Sequence, residues 1–242
     1  LIASVIQQLD SAKDLAVPPL GEVPIMFTPK GFASCLLKPL LAGFSGKKIA
    51  DASSPLTRKM GDRIVSERMT IRDNPLIPFA TGSRPFDDEG VPSETITLIE
   101  NGHLVSFLFD LRTAGLAGTR STASAHRGLS APPSPDVSVI DVEPGDCSLD
   151  DMLSGIKAGL IVEQVLGAGQ GNELGGDFKV NVLLGYRVEN GRIVGRVKDT
   201  VISGNVYGVL NSVDKISMDR EWVLGSMRVP AITCRGIQVA GK

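Results

Sequence analysis

The sequence predicts an α+β fold: a strand-rich body, built as a mixed or antiparallel sheet or as a barrel-like closure, with a few packed helices. Three observations carry this expectation. The segments ITLIENGHLVSFLFD (96–110) and VLLGYRVENGRIVGRVKD (182–199) each set Glu-Asn-Gly between alternating apolar residues. Asn-Gly supplies the two positive-φ residues of a type I′ turn, so both segments read as antiparallel hairpins. The C-terminal stretch 197–241 adds short β-like runs, VISG, SMRVPAITC and GIQVAG. Helical patterns come in blocks rather than alternating with strands, which argues against a parallel βαβ layout.

In chain order, LIASVIQQLDSAKDL places apolar residues at 1, 2, 5, 6 and 9, one face of a helix. A chain whose first residue already sits on a helical stripe is expected to continue a longer protein. Residues 1–22 are therefore taken as the end of a helix from a missing N-terminal domain plus a linker, and 23–242 as one domain. PIMF (24–27) reads as a short buried strand. Thr28 can cap the following helix with Pro29 at its first position. Phe32, Cys35, Leu36, Leu40 and Leu41 continue it at helical spacing, Pro39 kinks it, and Gly43 and Gly46 end it. The polar segment 45–67 is expected to be a loop with a short strand near Ile64–Val65. TAGLAGTRSTASAHRGLSAPPSPD (113–136), rich in small residues and proline, reads as a long ordered loop. Ser148 and Asp151 stand at capping-box spacing before a helix with Leu149, Met152, Leu153 and Ile156 as its buried stripe and Gly159 as its stop. Leu160–Leu166 is a strand that runs into the glycine-rich GAGQGNELGGD (167–177).

The chain is 242 residues long, with 42% hydrophobic and 21% charged residues and a net charge of −2. This is ordinary for a water-soluble, well-packed protein. The basic residues are dispersed, so there is no electrostatic footprint for nucleic acid. No apolar run approaches a membrane span. Three widely spaced cysteines without a C-x-x-C indicate neither a disulfide framework nor a zinc knuckle, and fit a cytoplasmic location.

Most chemical motifs fail. His103 and His126 are the two histidines, and they make no helical zinc motif. His103 follows a hairpin turn, whereas His126 lies in the small-residue loop. Ser45 begins an S-x-x-K pattern with Lys48 but has no K-T-G companion, and G-F-S-G misses a nucleophile elbow by one glycine. G-A-G-Q-G-N-E-L (167–174) lacks the third glycine of a dinucleotide loop, and L-A-G-F-S-G-K-K (41–48) lacks two signature residues of a P-loop. Cys35 sits on an apolar helical face and reads as core. What remains is GSRPFDDEGVP (82–92), where Asp87, Asp88 and Glu89 follow Arg84. Three carboxylates there could hold a metal, act as an acid/base pair, or form an acidic turn neutralised by the arginine.

Taken together and in order, GSRPFDDEGVPSETITLIENGHLVSFLFDLRTAGLAG, EPGDCSLDDMLSGIKAGLIVEQVLG, VENGRIVGRVKDTVISGN and GSMRVPAITCRGIQVAG resemble the TldD/PmbA peptidase-related family over about Pro24 to the C-terminus. The resemblance covers the family's C-terminal half. It implies a cytoplasmic two-domain protein engaged in peptide cleavage, typically as a heterodimer in which one subunit carries an H-E-x-x-x-H zinc helix and a distant cysteine ligand. In this chain the corresponding TPKGFASCLLKPLL has no histidine or glutamate, and Cys234 lies in a strand-like run rather than a glycine-flanked setting.

The resemblance thus implies a PmbA/TldE-like subunit without a cofactor of its own. Its partner would be a zinc-bearing TldD-like subunit or a second copy, and its substrate an unfolded peptide. Arg84, Asp87, Asp88, Glu89 and His126 are the candidate cleft-lining residues. The alternatives are a metal-independent hydrolase using Ser45, His126 or the Asp87–Glu89 carboxylates, and a non-enzymatic interaction or regulatory module.

Overall fold

Short strands leave backbone donors and acceptors open until they find neighbours. In the computed structural model, which describes residues 2–167, 172 and 174–241, thirteen strands meet that need in one mixed sheet. The chain opens with helix α1 (Ile2–Ser11), then β1 (Gly21–Glu22) and β2 (Ile25–Phe27). Thr28 caps α2 (Pro29–Phe32) by accepting from Gly31 N at 3.3 Å. A π-helical turn over Ala33–Leu37 follows, then α3 (Lys38–Ala42) and α4 (Gly46–Ala50). The backbone stays helical through Leu37 and Lys38, so the missing N–H of Pro39 falls inside the run, directly after the wider turn.

The middle of the chain gives β3 (Ile71–Asp73), the hairpin β4 (Ile96–Glu100) and β5 (His103–Leu104), and α5 (Leu111–Ala117). A small ribbon, β6 (Ala125–His126) with β7 (Ser134–Pro135), precedes β8 (Ile140–Val142) and α6 (Leu149–Ser154). Then come β9 (Ala158–Leu166), the hairpin β10 (Asp177–Glu189) and β11 (Arg192–Arg196), β12 (Thr200–Asn205), α7 (Val206–Asn211), β13 (Lys215–Val223), β14 (Met227–Cys234) and β15 (Gln238–Gly241).

The ladder runs β1-β15-β12-β10-β9-β2-β14-β8-β3-β4-β5, with β11 added on β10 and β13 on β14. Its ends do not meet, so the sheet is open and the barrel-like alternative is corrected. Most pairings are antiparallel; β2 with β9 and β14 with β8 are parallel. The β14–β8 junction is only two residue pairs long, Met227 with Ile140 and Arg228 with Asp141. Asp141 bridges it by accepting from Arg220 and Arg228, at 2.7 Å each.

Both Asn-Gly turns form as expected, with φ of 47° and 80° at Asn101 and Gly102 and of 48° and 73° at Asn190 and Gly191. One face of the sheet, with Ile25, Phe27, Leu160 and Val162, closes the main core against Phe32, Leu36 and Leu40 of the α2–α3 helical run. The opposite face, with Met26, Ile161, Tyr186 and Ala231, makes a second cluster with Met152 and Ile156. Helix α2 approaches β9 closely at Gly31, where a Cβ would stand 2.3 Å from the Val162 carbonyl oxygen.

Several local expectations change. The segment 113–136 begins as a helix rather than a loop. Asp110 caps α5 through a reciprocal box with Thr113, and Gly118 ends it in the left-handed region. Residues 46–50 are helical, so Gly46 starts a helix instead of ending one, and Ile64–Val65 forms no strand. Helix α6 stops at Gly155, four residues before Gly159, which lies inside β9. Met152 and Ile156 are buried as expected, but Leu149 is exposed and Leu153 half-buried. On α1, Val5, Ile6 and Leu9 stay exposed. Five residues of the glycine-rich connection, 168–171 and 173, lie outside the described residues.

Candidate functional site

The acidic turn resolves into a set of backbone clamps. Asp87 is 2% exposed. Its Oδ1 accepts from Glu89 N at 3.0 Å and Val91 N at 2.9 Å, and its Oδ2 from Ala125 N at 3.1 Å. Asp88 accepts from Arg127 N at 2.7 Å, and Glu89 from Leu111 N, the first amide of α5, at 2.8 Å. Arg84 donates to the carbonyls of Ala125 at 2.7 Å and Ala123 at 3.4 Å. The structure therefore brings Arg84, Asp87, Asp88 and His126 together around β6, while Glu89 reaches across to α5. Each carboxylate accepts from the backbone of a distant segment, and Asp87 also from two amides of its own turn.

His126 faces Ser138 Oγ at 3.3 Å, and burial, reinforced by the Arg84 charge, lowers its pKa. Beneath it Asp73 accepts from Ser138 N and Val139 N, yet burial pushes its carboxyl up to about 6. His103 stays exposed beside its hairpin turn, with Nδ1 2.9 Å from the Asn101 carbonyl. Ser45 stands at the N-cap position of α4 without a side-chain capping hydrogen bond, and Lys48 donates to the Ala42 carbonyl at 2.8 Å, which takes it away from any S-x-x-K chemistry.

A different feature holds the concave surface. An open pocket of about 880 Å³ lies on the second face of the sheet, between α1, α6 and the β13–β14 hairpin. None of Arg84, Asp87, Asp88, Glu89 and His126 lines it. Its walls are apolar, with Met26, Ile161, Leu153, Ala231 and Trp222 among them, and the capped start of α2 stands at its rim. Leu149 and Leu153 face this pocket, which explains why the α6 stripe is incompletely buried.

The pocket contains one carboxylate that is 9% exposed, that of Glu163. Strand β9 pairs Val162 with Gly185 and Gln164 with Leu184 of β10, so Glu163 is the unpaired residue of a β-bulge. Bulges of this kind re-aim a side chain and recur beside functional sites. The Tyr186 hydroxyl donates to Glu163 Oε2 at 3.2 Å, and Gln8 from α1 donates to Oε1. Burial, followed by the Glu163 charge, pushes the Tyr186 phenol up to about 12, so it remains a donor at neutral pH. Sequence reasoning identified the β9 strand but passed over Glu163. The available signal was a single acid inside the apolar run GLIVEQVL, expensive to bury without a purpose.

Residues 20–241 match the family described as PmbA/TldA metallopeptidase C-terminal domain. A metalloprotease of Methanocaldococcus jannaschii is 32% identical over 207 residues, covering 81% of this chain and 46% of that protein. A metalloprotease TldD homologue of Haemophilus influenzae is 29% identical, covering 86% of this chain and 43% of its own length. The crystal structure of TldE from Thermococcus kodakarensis superposes with a TM-score of 0.88 at 29% identity, over 99% of this chain and 55% of that one. The chain thus spans about half the length of the relatives it matches.

A metallopeptidase family raises the question of metal ligands. Helix residues 28–42 offer a thiol but no histidine or carboxylate. Cys35 and Cys234 are both 1% exposed within the apolar core, where burial raises the pKa of both thiols. Among the described residues no three His, Cys, Asp or Glu side chains converge. The residues around this helix therefore do not fit a zinc site. No helix among the described residues is long and apolar enough to cross a membrane. From its match over residues 20–241 and its shared fold, the chain belongs to the TldD/PmbA metallopeptidase-related family, of which it carries the C-terminal domain.

Proposed function

We propose that this chain is the TldE-like, metal-free subunit of a two-component peptidase that acts on unfolded peptides. Zinc chemistry belongs to a TldD-like partner, and this subunit shapes the peptide-binding surface. The observation that carries the reading is the pairing of a ligand-sized pocket with a neighbouring helix whose donors do not suit zinc. A pocket of this size, apolar with a few convergent polar groups, is the usual form of a binding site. Likeness to the TldE structure supports the subunit assignment. In this reading the loops clamped by Arg84, Asp87, Asp88, Glu89 and His126 are a rigid margin of the shared cleft.

The test is a peptidase assay of the chain alone, of a zinc-bearing TldD relative alone, and of the mixture, with and without chelator. Chelator-sensitive cleavage that needs or is strongly stimulated by this chain is expected, with a mixed complex by mass. Chelator-insensitive cleavage by the chain alone overturns the proposal and favours a metal-independent hydrolase. No effect on the partner's cleavage and no complex overturns it in favour of a separate interaction module.

A further inference from the structure

The Glu163 carboxylate has neutral donors, the Tyr186 hydroxyl and the Gln8 amide, one on each oxygen. An ionised carboxylate has about four lone-pair sites, so acceptor capacity remains on both oxygens. Burying such a group without a cation is costly. Of the charged residues lining the pocket, Asp150, Glu163 and Glu221 are acids and Lys30 is the single base. Lys30 is exposed on the rim, and no ion pair joins it to Glu163. Of the nearby arginines, Arg228 is held by Asp141, and Arg196 donates to the Leu183 carbonyl at 3.0 Å while its Nε stays buried without a partner; its charge reaches Tyr186, but no hydrogen bond or ion pair joins it to Glu163. The bulge, meanwhile, sets Glu163 apart from its paired neighbours on β9.

We infer that this pocket is a subsite for a cationic nitrogen of a bound peptide, which inserts along the apolar walls and pairs with Glu163. The inference deepens the peptide-binding reading above and rests on it. A lysine side chain and a free α-amino group share the required chemistry: an ammonium with three donors on an aliphatic body. The aliphatic stem covers Met26, Ile161 and Leu153, and the ammonium takes the remaining lone pairs of Glu163. A charge-assisted pair in a partly dry pocket is stronger than its exposed counterpart.

The chain has one tryptophan, Trp222, and it lines this pocket, so its fluorescence reports occupancy. The experiment titrates the 242-residue chain with three short peptides of one framework. The first is N-acetylated with a central lysine, the second N-acetylated with norleucine in its place, and the third carries norleucine and a free amino terminus. Calorimetry runs in parallel. At least one cationic peptide is expected to bind roughly ten-fold more tightly than the neutral one, and which of the two does so identifies the source of the cation. In Glu163→Gln the preference should collapse to within about two-fold while the neutral peptide keeps its affinity.

Equal affinities for all three peptides overturn the inference using the native chain alone, whatever the variant's folding. A preference that survives in folded Glu163→Gln overturns it too. Because the titration needs no partner, stimulation of a zinc-bearing relative without any cation preference refutes this inference and leaves the functional proposal standing.

Discussion

Replacing Asp87 by alanine is the sharpest test of whether the acidic turn is architecture or chemistry. The side chain serves three backbone amides. Those of Glu89 and Val91 belong to half-exposed residues and can turn to water, but Ala125 is fully buried and its amide is orphaned. Losing charge-assisted bonds worth about 1.5–3 kcal/mol each, and stranding one buried donor, gives a net destabilisation of about 4 kcal/mol after water recovers part of the loss. For a chain of this size that lowers Tm by roughly 8–16 °C. Asp87→Asn retains Oδ1 for two amides but turns its NH₂ toward the Ala125 N–H, so it should lose about half as much. The assay is denaturant unfolding alongside the Trp222 titration. An unchanged midpoint in Asp87→Ala refutes the clamp. Loss of peptide function at full stability shows that the carboxylate acts chemically.

Further predictions concern Asp73, Gly31 and Asp141. Burial holds the Asp73 pKa near 6 against 3.8 when unfolded, so the native state binds the extra proton. Its contribution is complete below about pH 4 and declines as pH rises through 6, by up to about 3 kcal/mol. The difference in unfolding free energy between wild type and Asp73→Asn should trace that slope, and parallel curves exclude it. Gly31→Ala drives a methyl against the Val162 backbone and should cost at least about 2 kcal/mol by chemical denaturation; a neutral effect contradicts the close helix–strand approach. Asp141→Asn unpairs Arg220 and Arg228 and should cost about 2–3 kcal/mol. Since Arg228 lies 5.6 Å over the Trp222 ring, the same variant should shift tryptophan emission, and an unmoved spectrum argues against that stacking.

Legibility from sequence followed the range of the interactions. The hairpins at 100–103 and 189–192 were readable because Asn-Gly encodes its own turn within two residues. The Thr28 and Ser148 caps were readable for the same reason, since each accepts an amide three residues on. Helix α5 was hidden because Gly115 and Gly118 mimic loop composition, and its Asp110–Thr113 box uses threonine where glutamate is usual. The role of the acidic turn was unreadable because its distant acceptance comes from Ala125, Arg127 and Leu111, more than twenty residues away. Glu163 was harder still. Its distinction is a register slip between β9 and β10, a property of two strands jointly and of neither alone.

The two-pair junction between β14 and β8 has a consequence for how the molecule comes apart. Hydrogen bonds along it are too few to transmit unfolding from one wing of the sheet to the other. The apolar cluster is continuous across it, joining Ile71, Leu98 and Ile140 on one side to Val162, Val180 and Ile232 on the other. Cooperativity is thus carried by side-chain packing beneath the seam, with the Asp141 ion pairs as its rivet. Pulled apart across its middle, the sheet should part at this junction before the three-pair ladders β2–β14 and β2–β9.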